Sequence, residues 1–168
     1  VGAASEEGRH IGPVVNATQF NKIQDLIQKG IDEGARLVAG GIGRPEGFNK
    51  GFYVRPTVFA DVNNSMTIAQ EEIFGPVLSI IPFDTEEEAI ALANDTVYGL
   101  TNYIQTQDQD KAKRVARSLR SGMVEMNGHT RGAGAPFGGM KQSGNGREGG
   151  KWGIEDFLEL KSVAGWMD

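Results

Sequence analysis

The 168-residue sequence contains no cysteine, which excludes disulfides, thiolate metal sites and any cysteine nucleophile carried by this chain. Histidine is scarce as well. His10 and His129 are the two present, far apart in sequence, so no metal centre is expected from them. No apolar run approaches the roughly 18 residues a membrane-spanning helix needs, and the start lacks a basic-then-apolar signal pattern. Positive charge is in short supply too: 17 Lys and Arg against 22 Asp and Glu give a net charge of −5. A nucleic-acid partner would call for a strongly basic face. Neither a nucleic acid nor a membrane is therefore an expected partner, and the expected location is cytoplasmic.

What is present reads as an α/β chain. Asn16 is placed to cap a helix whose inner face is Phe20, Ile23, Ile27 and Ile31. Leu37–Ala39 reads as a short buried strand. Residues 51–60 look extended, with Pro56 demoting them to an edge or a bend. Val77–Phe83 is an apolar strand. Thr85 and Glu88 have capping-box spacing for a helix with Ala89, Ile90, Leu92 and Ala93 inward. Thr101–Gln105 is the next strand. Asp108 is placed to cap a helix burying Ala112, Val115, Ala116 and Leu119, and strand Met123–Met126 follows. This βαβ rhythm predicts a three-layer sandwich with a mainly parallel sheet. A short helix, Trp152–Phe157, then leads to a terminal strand, Leu158–Trp166, expected to pair outside its own domain and so to mediate self-association.

Nine of the 23 residues from Gly128 to Gly150 are glycine, a density that fits a binding loop or a packed irregular segment better than a linker. Within it, Gly144-Asn145-Gly146-Arg147-Glu148-Gly149 matches G-x-G-x-x-G. A dinucleotide fingerprint needs a strand before it and a long helix after it, and turn residues precede this one. A nucleotide-binding module built on this loop is thus the weakest functional reading. Lys111, Lys113, Arg114, Arg117 and Arg120 read as a solvated helix face. Gln70–Val77 allows two readings. In one, Glu71 and Glu72 are a solvated helix end and Phe74 is core; in the other, a carboxylate at the strand entry accepts hydrogen bonds from ribose hydroxyls.

Several segments occur in a fixed order: Glu71-Glu72-Ile73-Phe74-Gly75-Pro76-Val77, then Asn94–Leu100, Pro136–Gly144 and Gly146-Arg147-Glu148. Together with Ile11-Gly12-Pro13, Gly40-Gly41 and Arg55-Pro56-Thr57-Val58, this series resembles the C-terminal motifs of the NAD(P)-dependent aldehyde dehydrogenase superfamily. The resemblance covers essentially the whole chain. It implies the later catalytic domain over residues 1–127, a channel loop and short helix over 128–157, and an oligomerisation strand over 158–168. The catalytic cysteine, the general-base glutamate and the dinucleotide-binding domain would then precede Val1. The zero Cys count and the absent initiator Met agree with a truncated chain that is inactive alone.

The resemblance also implies roles. In the family a thiolate attacks the aldehyde, hydride passes to NAD or NADP, and water hydrolyses the thioester. Glu72 matches the glutamate that bonds the nicotinamide ribose, and Phe74 the aromatic packing near the nicotinamide. Asn127, His129, Thr130, Arg131 and Phe137 match the aldehyde channel, and Glu148 an accessory proton relay. As a lone carboxylate in a glycine loop, Glu148 is otherwise expected to ion-pair with Lys141, Arg147 or Lys151. Arg147 and Glu159 match an intersubunit ion pair of a homo-dimer or homo-tetramer. The competing expectation is a non-catalytic, self-associating interaction module with the same fold.

Overall fold

Asn16 starts the first helix as its spacing predicts: its Oδ1 accepts from the Gln19 amide at 2.9 Å. The computed structural model describes residues 1–166, which fall into two units dividing after Asp84.

In the first unit, helix α1 (Ala17–Asp32) buries Phe20, Ile23, Leu26, Ile27 and Gly30. Ile31, expected inside, is 36% exposed, and Leu26 takes its place. The i, i+3, i+4 stripe runs through 23, 26, 27 and 30 and leaves 31 on its flank. Strand β1 (Arg36–Ala39) pairs antiparallel with β2 (Thr57–Ala60), and β2 pairs parallel with β3 (Val77–Ser79), in the order β1-β2-β3. Strand β1 is exposed along its whole length rather than buried, because it lies at the sheet edge. The stretch containing Pro56 supplies the central strand rather than an edge. Pro56 stands one position before the first paired residue, so its missing N–H costs the ladder nothing. Strand β3 is shorter than the apolar run that announced it. Between β2 and β3 a single turn, α2 (Thr67–Gln70), is fastened to the end of α1. Glu33 accepts there from the Thr67 amide at 2.7 Å and the Thr67 hydroxyl at 2.5 Å. Those bonds, the hydroxyl's first, hold the Glu33 carboxyl below its ordinary range. The core joins the inner face of α1 to Val54, Phe59, Val62, Ile68 and Ile73. Burial of each such large apolar side chain contributes about 1.5–3 kcal/mol.

In the second unit, Thr85 caps α3 (Glu86–Asn94) and Asp108 caps α4 (Gln109–Ser118), both through side-chain oxygens. Strands β4 (Thr101–Ile104) and β5 (Met123–Met126) pair parallel from Thr101↔Met123 to Ile104↔Met126, with α4 as the crossover. Ala112 is fully buried. The expected inner residues of α3 are half-buried except Ala93, which is exposed. The two helices are stapled by Arg114, whose guanidinium donates to both Glu86 oxygens at 2.7 and 2.9 Å, with Lys111 at 3.8 Å. Asn94 closes the far end, donating to the Ser118 carbonyl at 2.9 Å and accepting from the Arg120 amide at 2.7 Å.

Two of the three ladders are parallel, as the α/β pattern requires, and the strands sort into two small sheets. After β5 come a 3-10 turn (Lys141–Ser143) and helix α5 (Gly150–Glu155), which starts and stops two residues earlier than its apolar residues indicate. Residues 158–166, read from sequence as a strand, join no ladder among the described residues. Positions 167 and 168 of that segment lie outside the described residues.

Candidate functional site

The candidate residues gather on two loops, one in each unit. In the first unit, Glu71 to Pro76 carries the chain from α2 to β3. Ile73 turns inward to the core at 8% exposure, while Phe74 stands 73% exposed. Phe74 is therefore not a core residue. Its backbone lies in the left-handed region, φ 55°, which bulky L-residues rarely occupy and which marks a locally over-determined position. The next residue is glycine for want of space: a Cβ on Gly75 would lie 2.5 Å from Cδ1 of the fully buried Ile23.

Helix α1 grips this loop by its main chain. Gln19 Nε2 donates to the carbonyls of Ile73 and Phe74, both at 3.0 Å, and Lys22 Nζ donates to the Glu72 carbonyl at 2.8 Å. Three consecutive carbonyls are thus held by two side chains one helical turn apart. The Glu72 carboxylate is exposed and has no hydrogen-bond or ion-pair partner among the described residues. What the loop presents is a free carboxylate two residues from a bare aromatic ring. The carboxylate suits a pair of hydroxyl donors and the exposed ring a flat, electron-poor heterocycle, chemistry that the ribose and pyridinium ring of a nicotinamide nucleotide would match.

In the second unit, Phe137 and Glu148 form an isolated antiparallel bridge, with amide-to-carbonyl distances of 2.8 and 2.7 Å. Directly opposed residues of such a bridge project to the same face. Arg131 lies over that face, its guanidinium carbon 5.1 Å from the centre of the Phe137 ring. Arg131, Phe137 and Glu148 line one groove, and Asn127, His129, Thr130 and Arg131 line another of about 560 Å³ along β5. Asn127 also has positive φ, 53°, tolerable for asparagine. Its Oδ1 accepts from the Thr106 amide at 2.9 Å, so this side chain is tied into the fold. The His129 amide donates to Met126.

None of the three cations expected to neutralise Glu148 does so. Lys141 donates to the carbonyls of Asn94 and Thr96 at 2.8 and 2.9 Å, at the end of α3. Arg147 Nη1 donates to the carbonyls of Gly139, Asn145 and Gly146. Lys151 lies over the Trp152 ring. Glu148 is left exposed, with no ion pair among the described residues. Glu159 is likewise exposed. Flanking it, Phe157, Leu158, Leu160, Val163 and Trp166 are all more than half exposed, Leu160 completely so.

The G-x-G-x-x-G stretch sits between the 3-10 turn and the six-residue α5, not between a strand and a long helix. Among the described residues there is no cluster of His, Asp and Glu able to hold a metal ion, and no helix long and apolar enough to cross a membrane. The anchoring residues Gln19 and Lys22 have no sequence signal, and Lys141, expected as an ion-pair partner, is an anchor instead. Polar side chains at a helix start or in a glycine loop look the same whether they reach solvent or a distant carbonyl.

The fold and loops are those of an α/β protein that presents exposed polar and aromatic side chains from tightly anchored turns. The model of the aldehyde dehydrogenase family matches residues 1–163, and the chain belongs to that family. It is similar to the crystal structure of an aldehyde dehydrogenase from Bartonella henselae, at 63% identity and a TM-score of 0.93, over 96% of this chain and 34% of that one. A variant of aldehyde dehydrogenase C from Pseudomonas syringae, solved with NAD+ and octanal, is 54% identical with a TM-score of 0.89, over 92% of this chain and 32% of that one. An aldehyde dehydrogenase from Mycobacterium tuberculosis, complexed with NAD+, gives 52% and 0.89, over 94% and 33%. The chain spans about a third of the length of the curated relatives it matches: a Staphylococcus saprophyticus protein is 55% identical over all 168 residues, which make up 35% of it.

Proposed function

We propose that this chain is the later catalytic-domain portion of an NAD(P)-dependent aldehyde dehydrogenase, which oxidises an aldehyde to a carboxylic acid. In this reading residues 128–157 line the aldehyde channel and residues 158–166 serve as an oligomerisation strand in the assembled enzyme. The chain contributes positioning rather than the nucleophile, since it holds no cysteine, and it is inactive alone. NAD+ is the favoured cofactor because two of the similar structures hold it.

The observation that carries the proposal is the free Glu72 carboxylate beside the exposed, backbone-strained ring of Phe74. Glu72 would accept from the nicotinamide ribose hydroxyls, and Phe74 would pack beside the nicotinamide. When bound, the nucleotide supplies the hydride acceptor. These side chains fix the orientation on which the transfer rate depends, a misplacement of about 1 Å being worth roughly a hundredfold.

In the other unit, Arg131 and Phe137 would border the aldehyde, with His129 and Thr130 making that wall polar. Glu148, exposed and unpaired, would relay a proton during thioester hydrolysis. Exposed apolar side chains from Phe157 to Trp166 support burial against another subunit, as a dimer or tetramer, with Arg147 and Glu159 at the contact.

The test is Glu72→Gln in the full-length parent. Single-turnover NADH formation should fall more than cofactor affinity weakens, because an amide still binds but no longer holds both hydroxyls. An unchanged single-turnover rate would remove Glu72 from the site.

A further inference from the structure

Gln19 makes a contact in the first unit that none of the roles above uses. One side-chain amide spends its donors on two consecutive carbonyls, Ile73 and Phe74, across a separation of 54 and 55 residues. Consecutive carbonyls point to one side only where the chain departs from extended geometry, and here Phe74 takes φ 55°. Two carbonyl dipoles facing the same way repel each other and need a donor between them. Gln19 supplies it.

Its own position is set twice. The Gln19 amide is bonded at 2.9 Å to the N-cap Asn16, and the neighbouring Phe20 is in the core. From below, the buried Ile23 meets Gly75. The loop is thus gripped at its main chain, while the side chains of Glu72 and Phe74 stay free to meet a ligand. Lys22 adds one bond to the Glu72 carbonyl but reaches neither Ile73 nor Phe74.

We propose that Gln19 is a positioning residue for hydride transfer: by bridging the Ile73 and Phe74 carbonyls it holds Phe74 left-handed, and so sets the aim of Phe74 and Glu72 toward the nicotinamide end of the cofactor. Gln19 does not touch the reacting atoms. The inference rests on the proposal that Glu72 and Phe74 serve that end.

The test uses the full-length enzyme carrying Gln19→Met, which keeps the length and volume of glutamine and removes both donors. Three readouts separate positioning from folding. Single-turnover NADH formation should fall by about tenfold to a hundredfold. Hydrolysis of an activated ester by the same thiolate, which needs no hydride transfer, should stay within about twofold of the parent. Amide exchange should quicken at Thr57 and Val77, whose amides donate to the Pro76 and Gly75 carbonyls of the loop, and remain unchanged in α1. Gln19→Asn, with the amide kept but a methylene shorter, should behave the same way and carries the test if the methionine variant does not fold.

NADH formation within about twofold of the parent in the folded variants overturns the inference. So does a parallel loss of both activities with faster exchange throughout the unit, which would mark Gln19 as merely structural. Glu72→Gln, run alongside, keeps the two levels apart. If it leaves hydride transfer unchanged, the underlying proposal falls; if it slows transfer while the Gln19 variants do not, the role of Gln19 alone falls.

Discussion

Gly122 offers the sharpest quantitative test of how the second unit is built. It precedes β5 and donates its amide to the Gly99 carbonyl at 3.0 Å. A Cβ at this position would lie 1.9 Å from the Gly138 carbonyl oxygen, 2.6 Å from its carbon and 2.8 Å from Gly139 Cα. All three are backbone atoms, so no side-chain rotation relieves the overlap. The backbone of Gly122 has no positive φ, so alanine there faces crowding alone. Ordinary contact distances require the two segments to part by about 1 Å or more, and overpacking of this kind costs roughly 1–3 kcal/mol. In a unit below 100 residues that corresponds to a fall in melting temperature of about 4–24 °C. The displaced segment includes Phe137, the neighbour of Gly138 and the partner of Glu148.

Gly122→Ala should therefore unfold earlier on heating and in urea, with faster amide exchange at Phe137 and Glu148. Gly132→Ala is the matched control. It also lacks positive φ and has nothing within 4 Å of its Cβ position, so its stability should stay within about 0.5 kcal/mol of the parent. Equal melting of Gly122→Ala and Gly132→Ala would refute the backbone contact.

Two further outcomes follow from the geometry. The Glu86 carboxyl is held below its ordinary value of 4.5, chiefly by the Arg114 bond, so its contribution to stability is present above that value and is lost as pH falls through the lower folded value. Glu86→Gln should lower stability near neutral pH and flatten the acid limb, the two pH–melting curves converging at low pH; parallel curves would refute the staple. Leu160→Glu, at a fully exposed position, should leave the melting of an isolated subunit unchanged and lower the mass of the full-length assembly in sedimentation. An unaltered mass would remove residues 158–166 from the interface.

The caps at Asn16, Thr85 and Asp108 were legible because capping is local: one oxygen and the amides two or three residues on decide it. The inner face of α1 was legible except at Ile31, which is exposed while Leu26 is buried; in α3 the expected inner Ala93 is exposed and in α4 only Ala112 is fully covered. Strand environment was not. Leu37-Val38-Ala39 has the composition of a buried strand and occupies an exposed edge, a matter settled by which strand pairs on its far side. At the candidate site, residue types pointed to Glu72 and Phe74, but burial at Phe74 could not be judged while Ile73 beside it was an equal claimant to the core. The backbone turn that separates them depends on Gln19, more than 50 residues away. The environment of Glu148 was misjudged for a related reason. Lys141 and Arg147 lie close to it in sequence, yet carbonyls at the end of α3 and in the glycine loop, which lack ladder partners, take up these cations.

Ile23 fills the interior and at the same time acts as the stop against which Gly75 rests. Stability and aim are therefore not independent traits at this position. A redesign that enlarges Ile23 to tighten the interior would push on the turn bearing Phe74, and one that trims it would let the turn sink. In an enzyme built on this chain, tolerance to substitution should thus be graded by what each core side chain touches on its outer side, with depth of burial a poor guide.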